Sequence, residues 1–313
     1  MSAPLVSAVV PTYNRADLVG DAIRGALAQQ LPDGSQVEVI VVDDDSTDST
    51  ADVVRTFPTV RYLRQPNRKE GAARNLGARH AQGRYLAFVD SDDFWLPGKL
   101  AGDVRRFEAG DAPALVYSRA LNVGVDGSRL GVRRLPTYEG DVFWQLAREA
   151  FMPMSSVAVR ADAFAACGGF AEDLDVSGTA DWELWMRLAA RWPVGFADQA
   201  NTCIRVHAEH MLADPHYMER AMLAGVRLAL RDPVVSRRAG RRVAYIRGCM
   251  CVTIALNAYG NDRPRRSWYW LGRALLAWPP LVADARLWGA ITRNIVGRRQ
   301  LRTLRHMARR AAV

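Results

Sequence analysis

GAARNLGARHAQGRYLAFVDSDD, residues 71–93, is the stretch from which the fold class is read. Residues 71–82 have helical character and carry Arg74 and Asn75. Residues 85–89 (YLAFV) form a short apolar run that suits a buried strand. The run stops at Asp90-Ser91-Asp92-Asp93. A strand that is apolar on both faces belongs in a sheet covered on both sides by helices.

The same unit recurs toward the N-terminus. Residues 5–10 are a β-branched-rich strand closed by Pro11-Thr12-Tyr13-Asn14. Residues 16–30 place Leu18, Ala22, Ile23, Ala26 and Leu27 at helical spacing. Residues 37–42 (VEVIVV) are a second strand, followed at once by Asp43-Asp44-Asp45-Ser46 and a helical segment over 47–56. Residues 60–63 supply a third short strand. Strand and helix alternate, which predicts an α/β, Rossmann-like fold with a mostly parallel central sheet flanked by helices. Ligands of such sheets lie at the carboxyl ends of the strands. Both acidic clusters and the Pro11–Asn14 turn fall at that end, so three segments distant in sequence should meet in one cleft.

In the other direction the pattern changes. Residues 115–160 read as further strands and loops, 161–166 as a short helix ending at Gly168-Gly169, and 181–190 as a helix with Trp182 and Trp185 in its core-facing part. The Glu70-Gly71 and Gly168-Gly169 pairs read as turns. From about Asp214 only helices are expected, broken at Pro233, Pro264 and Pro279-Pro280. The chain is therefore divided into an α/β domain, 1–213, and a basic, all-α C-terminal extension, 214–313.

Charge divides at the same place. Residues 1–213 hold 22 Lys and Arg against 28 Asp and Glu, a net of −6, whereas 214–313 hold 20 Arg against 5 acids, a net of +15. Trp268, Trp270, Trp278 and Trp288 are interleaved with these arginines, and Val296, Leu301, Leu304 and Ala308 can share one helical face. Basic amphipathic helices with tryptophan suit an anionic membrane surface; the plainer alternative is a helical cap with solvated arginines. Nucleic acid is not the expected partner, because the front of the chain carries no RNA- or DNA-binding module. The four cysteines are scattered and form no disulfide framework, and Cys249-x-Cys251 lacks a second ligand pair for zinc. No basic leader with an apolar h-region is present, nor a run of roughly 18 apolar residues, so a cytoplasmic protein without a spanning helix is expected.

The acidic clusters suggest the chemistry. Asp90 and Asp92 are two apart on an extended segment and point the same way. Their repulsion is relieved by a cation, and hard oxygen ligands suit Mg²⁺ or Mn²⁺, which in turn hold a diphosphate. A solvated acidic loop is the alternative. Asp43 to Asp45 could cap the following helix or accept hydrogen bonds from a nucleobase or ribose.

VVPTYNR (9–15), VIVVDDDSTD (39–48), the 71–93 stretch, FWLPGKL (94–100), GGFAED (168–173) and ADWELWMRLA (180–189) occur in an order and at spacings that closely resemble family 2 glycosyltransferases of the GT-A fold. The resemblance covers roughly residues 5–210. It implies that Pro11, Thr12 and Tyr13 line a nucleobase pocket, that Asp44 bonds the base, and that Arg74 and Asp90 contact the nucleotide. Asp90 and Asp92 would be the D-x-D motif, with Asp92, Asp93 and His207 near the metal, and Asp181 the catalytic base. Two departures stand out: Asp45 where glycine is usual, and Ala180 where glutamate usually precedes the base. The implied activity is inverting, metal-dependent transfer of a sugar from a nucleoside-diphosphate donor to a hydroxyl of a saccharide or lipid-linked saccharide, in bacterial surface-polysaccharide or glycolipid synthesis. UDP is the default nucleotide by resemblance, with dTDP and GDP open. The rivals fit less well. A nucleotidyltransferase or nucleotide-sugar hydrolase would share the acidic metal site, but nucleotidyltransferases usually carry a Gly-rich basic loop after the first strand. A processive synthase would need spanning helices and a Q-x-x-R-W signature.

Overall fold

The computed structural model describes residues 4–206 and 215–295. These form two compact units, one of residues 4–146 and 150–206, the other of 147–149 and 215–295.

The first unit opens with β1 (Val6–Thr12), α1 (Val19–Leu27), β2 (Glu38–Asp43), α2 (Thr50–Arg55), β3 (Arg61–Arg64), α3 (Lys69–His80) and β4 (Tyr85–Phe88). Every residue of β1 and β4 is buried, as a strand covered on both faces requires. The strands pair in parallel in the order β3-β2-β1-β4. Their carboxyl ends therefore lie along one edge, at Thr12, Asp43 and the residue pair Val89-Asp90.

Beyond β4 the sheet changes character. β5 (Phe94–Trp95), α4 (Lys99–Phe107), β6 (Leu115–Val123), β7 (Arg129–Val132), α5 (Phe143–Arg148), β8 (Val157–Arg160), α6 (Ala161–Ala166), α7 (Ala180–Ala189) and β9 (Val194–Arg205) complete the unit's elements. The sheet continues β4-β8-β6-β9-β5, with β7 on β6. β8 runs antiparallel to both β4 and β6, and β5 is antiparallel to β9, while β6 and β9 are parallel. The parallel arrangement thus holds for the first half, and the second half is mixed. Reversal at β8 has a direct consequence: its amino end sits beside the carboxyl end of β4, so Ser155 is delivered to Asp90.

Several local expectations shift by a few residues, and one fails. Glu70 and Gly71 are not a turn but belong to the first turn of α3. Gly71 is required by proximity: a Cβ there would stand 2.8 Å from the Ala171 carbonyl oxygen. Gly168 and Gly169 do form a turn, with φ of +77° and +74°. Trp182 and Trp185 are buried, as expected, and the Trp182 indole N–H donates to the Leu146 carbonyl at 2.8 Å.

The second unit is helical where described: α8 (Pro215–Ala229), α9 (Pro233–Ala239), α10 (Val243–Gly260), α11 (Pro264–Ala277) and a helical segment over 285–295. Pro233 and Pro264 occupy first-turn positions, where a missing N–H is harmless. The Asp232 side chain caps α9 by accepting from the N–H groups of Val234 and Val235. No described helix is long and apolar enough to cross a membrane.

α3 approaches the sheet closely because residue 77 is glycine. A Cβ at Gly77 would drive into the Val9 side chain and lie 3.2 Å from Val42 Cγ2. Both neighbours are fully buried β-branched residues with little freedom to move. Gly77→Ala should therefore lower stability by about 1–3 kcal/mol despite a helix-propensity gain of up to about 1 kcal/mol. Urea denaturation measures the sign, and a stabilised variant would show that helix propensity dominates.

Candidate active site

The edge of the parallel strands is laced together before any ligand is considered. The Asp44 N–H donates to the Thr12 carbonyl at 2.8 Å. Asn14, at φ +49°, donates its N–H to Ser46 Oγ and accepts from the Thr47 N–H. Arg15 and Ala16 donate their N–H groups to Thr50 Oγ1 and Asp48 Oδ2. These bonds fix the Pro11–Asn14 turn against the Asp43–Asp45 cluster. Pro11 and Thr12 are buried and Tyr13 is 46% exposed. Thr12 Oγ1 is a buried hydroxyl without a hydrogen-bond partner in the protein.

The three aspartates after β2 separate into different tasks. Asp43 is fully buried, accepting from the Ser46 N–H at 2.7 Å and from the Tyr62 hydroxyl at 2.7 Å. Burial, then the Asp43 carboxylate, push the Tyr62 phenol up to about 12. Asp44 accepts three bonds: from Gln65 Nε2, the Arg68 N–H and the Lys69 N–H, at 2.8–2.9 Å. It thereby pins the entry to α3, where Lys69 is held at φ +68°. A carboxylate offers about four acceptor positions, so one remains. Asp45 has φ +73° and pairs with Arg64 at 2.8 Å on the surface. Its backbone conformation is one glycine adopts freely and aspartate tolerates.

Arg74 lies at the centre. Its side chain is 7% exposed, its guanidinium donates to Asp90 Oδ1 at 2.6 Å, and it sits 5.6 Å from the centroid of the Phe170 ring. Burial works against the charge, but Asp90, Glu70 and Asp181 together outweigh it and raise the pKa. Arg74 Nε is buried without a partner. Asp181, the second residue of α7, accepts from the Trp182 N–H at 2.7 Å. Burial raises the Asp181 carboxyl above the usual range; that N–H and Arg74 pull it back, and Asp90 pushes it further up. Asp90 follows β4, Arg74 lies on α3 and Asp181 on α7; Arg74 pairs directly with Asp90, and both act electrostatically on Asp181.

Asp93 faces inward. It is 6% exposed, and its two oxygens accept from the Ser155 hydroxyl at 2.6 Å and the Arg205 N–H at 2.9 Å. Burial, then Asp90 and Asp92, raise its pKa well above the carboxylate range. Ser155 Oγ also accepts from the Asp90 N–H at 3.1 Å. Arg205, at the end of β9, donates to the Asp92 carbonyl at 2.9 Å and to Asp21, and stacks on Phe94 with 5.0 Å to the ring centroid. Asp90 and Asp92 remain partly exposed at this edge. A pair of hard oxygen ligands of this kind fits Mg²⁺ or Mn²⁺, which commonly bind through one or two carboxylates plus substrate phosphate. Among the described residues no group of three or more His, Cys, Asp or Glu is assembled for a metal. His207, and His210 near it, lie outside the described residues.

Residues the sequence reading passed over now stand out. Asn75 exchanges hydrogen bonds with the backbone of Phe170 and also donates to Glu172 at 2.9 Å, fixing α3 to the glycine turn. Glu183 is buried and paired with Arg187, which donates to the carbonyls of Cys167 and Gly169. Ser155 and Arg205 carry no local signal, since only strand pairing brings them to the acidic loop.

A mixed sheet of this topology flanked by helices is the GT-A fold. The model of Glycosyl transferase family 2 matches residues 7–166, a little more than half of the chain, and the protein belongs to that family. Succinoglycan biosynthesis protein ExoO of Rhizobium meliloti is 41% identical over 130 residues, covering 41% of this chain and 36% of that protein. The chain spans about two fifths or less of the length of such curated relatives. S. aureus TarS 1-349 has a similar fold, with a TM-score of 0.62 at 19% identity, covering 98% of this chain and 92% of that one; it is also known in complex with UDP-GlcNAc. Mannosyltransferase PcManGT from Pyrobaculum calidifontis, in complex with GDP-Man and Mn²⁺, has a TM-score of 0.55 at 20% identity, covering 94% and 88%.

Ser155→Ala removes the donor to Asp93 and the acceptor of the Asp90 N–H together. With a buried carboxyl left short of a partner, stability should fall by about 1–3 kcal/mol. Calorimetric melting and nucleotide titration should report a lower midpoint and weaker binding together. A variant with wild-type values in both would mean that Ser155 does not hold this loop.

Proposed function

We propose that this chain transfers a sugar from a nucleoside-diphosphate donor to a saccharide or lipid-linked saccharide hydroxyl, with inversion at the anomeric carbon. The observation that carries the reading is the grouping of Asp90, Arg74 and Asp181: an ion pair for the donor side and a carboxyl of raised pKa opening a helix beside it. A perturbed carboxyl set among charged groups in this way marks a candidate acid–base site. UDP is the default nucleotide; TarS was solved with UDP-GlcNAc and PcManGT with GDP-Man. The ExoO relative supports a polysaccharide as the product class. Residues 1–213 would be the catalytic domain.

In this reading Pro11, Thr12 and Tyr13 line the base pocket, with the unpartnered Thr12 hydroxyl open to a ligand acceptor or donor. Asp44 offers its remaining acceptor position to the base while it holds the entry to α3. Arg74 faces the departing diphosphate, where a fixed cation in a dry setting stabilises the charge that develops. Asp90 and Asp92 would hold a divalent cation, with His207 as a further ligand, and the bound ion would neutralise diphosphate charge. Asp93 is assigned a supporting part behind them, because both its oxygens are engaged inward. Asp181 takes the proton of the acceptor hydroxyl as that oxygen bonds to the anomeric carbon and the bond to the diphosphate oxygen breaks. A single displacement inverts the configuration.

Asp181→Asn should lower kcat by roughly 10²–10⁴-fold and leave donor affinity unchanged. Lost donor affinity would instead place Asp181 on the nucleotide. The base must be ionised to act, and its pKa is raised, so kcat/KM of the native enzyme should fall as pH drops through that raised value. A limb at the pKa of an unperturbed aspartate would contradict the assignment.

Chelation by EDTA should weaken donor binding in a thermal-shift assay, with recovery on adding Mn²⁺ or Mg²⁺. Asp92→Asn should reproduce the loss without recovery. Donor stabilisation that ignores chelator and ion alike would remove the metal from the scheme.

A further inference from the structure

The helical unit contains a groove that sugar transfer does not use. It is a cavity of about 490 Å³ among α8, α10 and α11, within the roughly 300–1,000 Å³ range of small-molecule sites. Met250 and Trp270 contribute apolar wall, and Leu276 stands at its edge with 81% of its surface exposed. Three arginines share the lining, one from each helix: Arg227, Arg247 and Arg273. All three are exposed, and no acidic residue lines the cavity. Among the described residues none of the three forms an ion pair, whereas Arg266 and Arg286 of the same unit pair with Glu219 and Asp284. An apolar trough bordered by unmatched cations from three helices suits an amphiphile with a hydrocarbon body and an anionic head.

We propose that this groove binds one anionic phospholipid of a membrane surface, its acyl chain in the trough and its phosphate against Arg227, Arg247 and Arg273. Charge selects this occupant over the chain's own C-terminal segment. Residues 296–313 carry Arg298, Arg299, Arg302, Arg305, Arg309 and Arg310 and no acid, so they would meet a rim of like charge. A neutral peptide would leave the arginines unmatched. The unit also exposes Trp268, Tyr269 and Trp288, at 44%, 48% and 53%, and side chains of this type favour the headgroup layer. The inference is independent of the transferase reading, since no residue of the sugar site takes part.

The test uses the full chain with vesicles of phosphatidylcholine alone and of equal parts phosphatidylcholine and phosphatidylglycerol, the latter carrying a photoactivatable acyl chain. The protein should sediment with the anionic vesicles and not with the zwitterionic ones. Crosslinks should fall in peptides covering 223–227, 247–251 and 270–277. Leu276→Glu, and the double change Arg247→Gln with Arg273→Gln, are at exposed positions and should leave melting and donor binding unaltered. The double arginine change should reduce vesicle binding roughly tenfold or more, and Leu276→Glu, which puts a carboxylate against an anionic surface in place of an apolar contact, should reduce it as well. Ala277→Trp, which fills the trough without altering charge, should suppress the crosslinks. Equal vesicle binding by wild type and Leu276→Glu would overturn the proposal. So would crosslinks confined to the chain beyond residue 295, the outcome expected if the terminal arginines alone bind the membrane.

Discussion

Arg74 is a cation placed where water barely reaches, and much of the first unit is organised by that constraint. An uncompensated buried charge is among the most destabilising features a fold can contain. Arg74 is compensated by Asp90 in direct contact and by the fields of Glu70 and Asp181. Each partner arrives on a different element, so the charge can be accommodated only when β4, α3 and α7 are all in place. The site and the fold are thereby specified by one electrostatic requirement. Glycines make this closeness possible: Gly71 lets α3 meet residue 171, and Gly77 lets it settle on β1 and β2.

The reversal of the sheet at β8 does the rest. An all-parallel sheet would leave the loop after β4 facing solvent with four polar residues and little to fix them. An antiparallel neighbour brings Ser155 to that loop, and the parallel pair β6 and β9 delivers Arg205 from the other side. Asp93 is then turned inward while Asp90 and Asp92 stay toward the edge. A carboxylate cluster that would otherwise repel itself is divided into one inward-facing residue and two partly exposed ones, of which Asp90 is paired with Arg74.

The parallel half of the fold was legible because its signals are local. Buried strands read as unbroken apolar runs, and the residues that follow them sit at the carboxyl edge whatever the details of packing. The acidic clusters at 43–45 and 90–93 were placed this way, whereas Arg74 and the particular role of Asp44 were singled out only by the resemblance to the family. What was hidden depends on partners distant in sequence. Ser155 in PMSS and Arg205 in CIRVH look like ordinary positions, and only register makes them neighbours of the acidic loop. Glu70-Gly71 was misread as a turn because glycine is usually punctuation; here its missing side chain serves a close approach inside a helix. The burial of Glu183 against Arg187 was likewise hidden, because it depends on tertiary packing. The unusual Asp45 has a local explanation in hindsight, as aspartate is among the few residues that tolerate the left-handed backbone there.

The chain carries forty-two basic side chains, yet only Lys69 and Lys99 are lysines. Lys99 is entirely enclosed, paired with Asp103 and set over the Trp95 ring. Lys69 is exposed, one residue past the helix entry that Asp44 fastens. Among the described side chains, amine-directed chemistry therefore has a single address. A dye or a solid support coupled to a lysine side chain would attach at the entry to α3, beside Asp44, at one defined point.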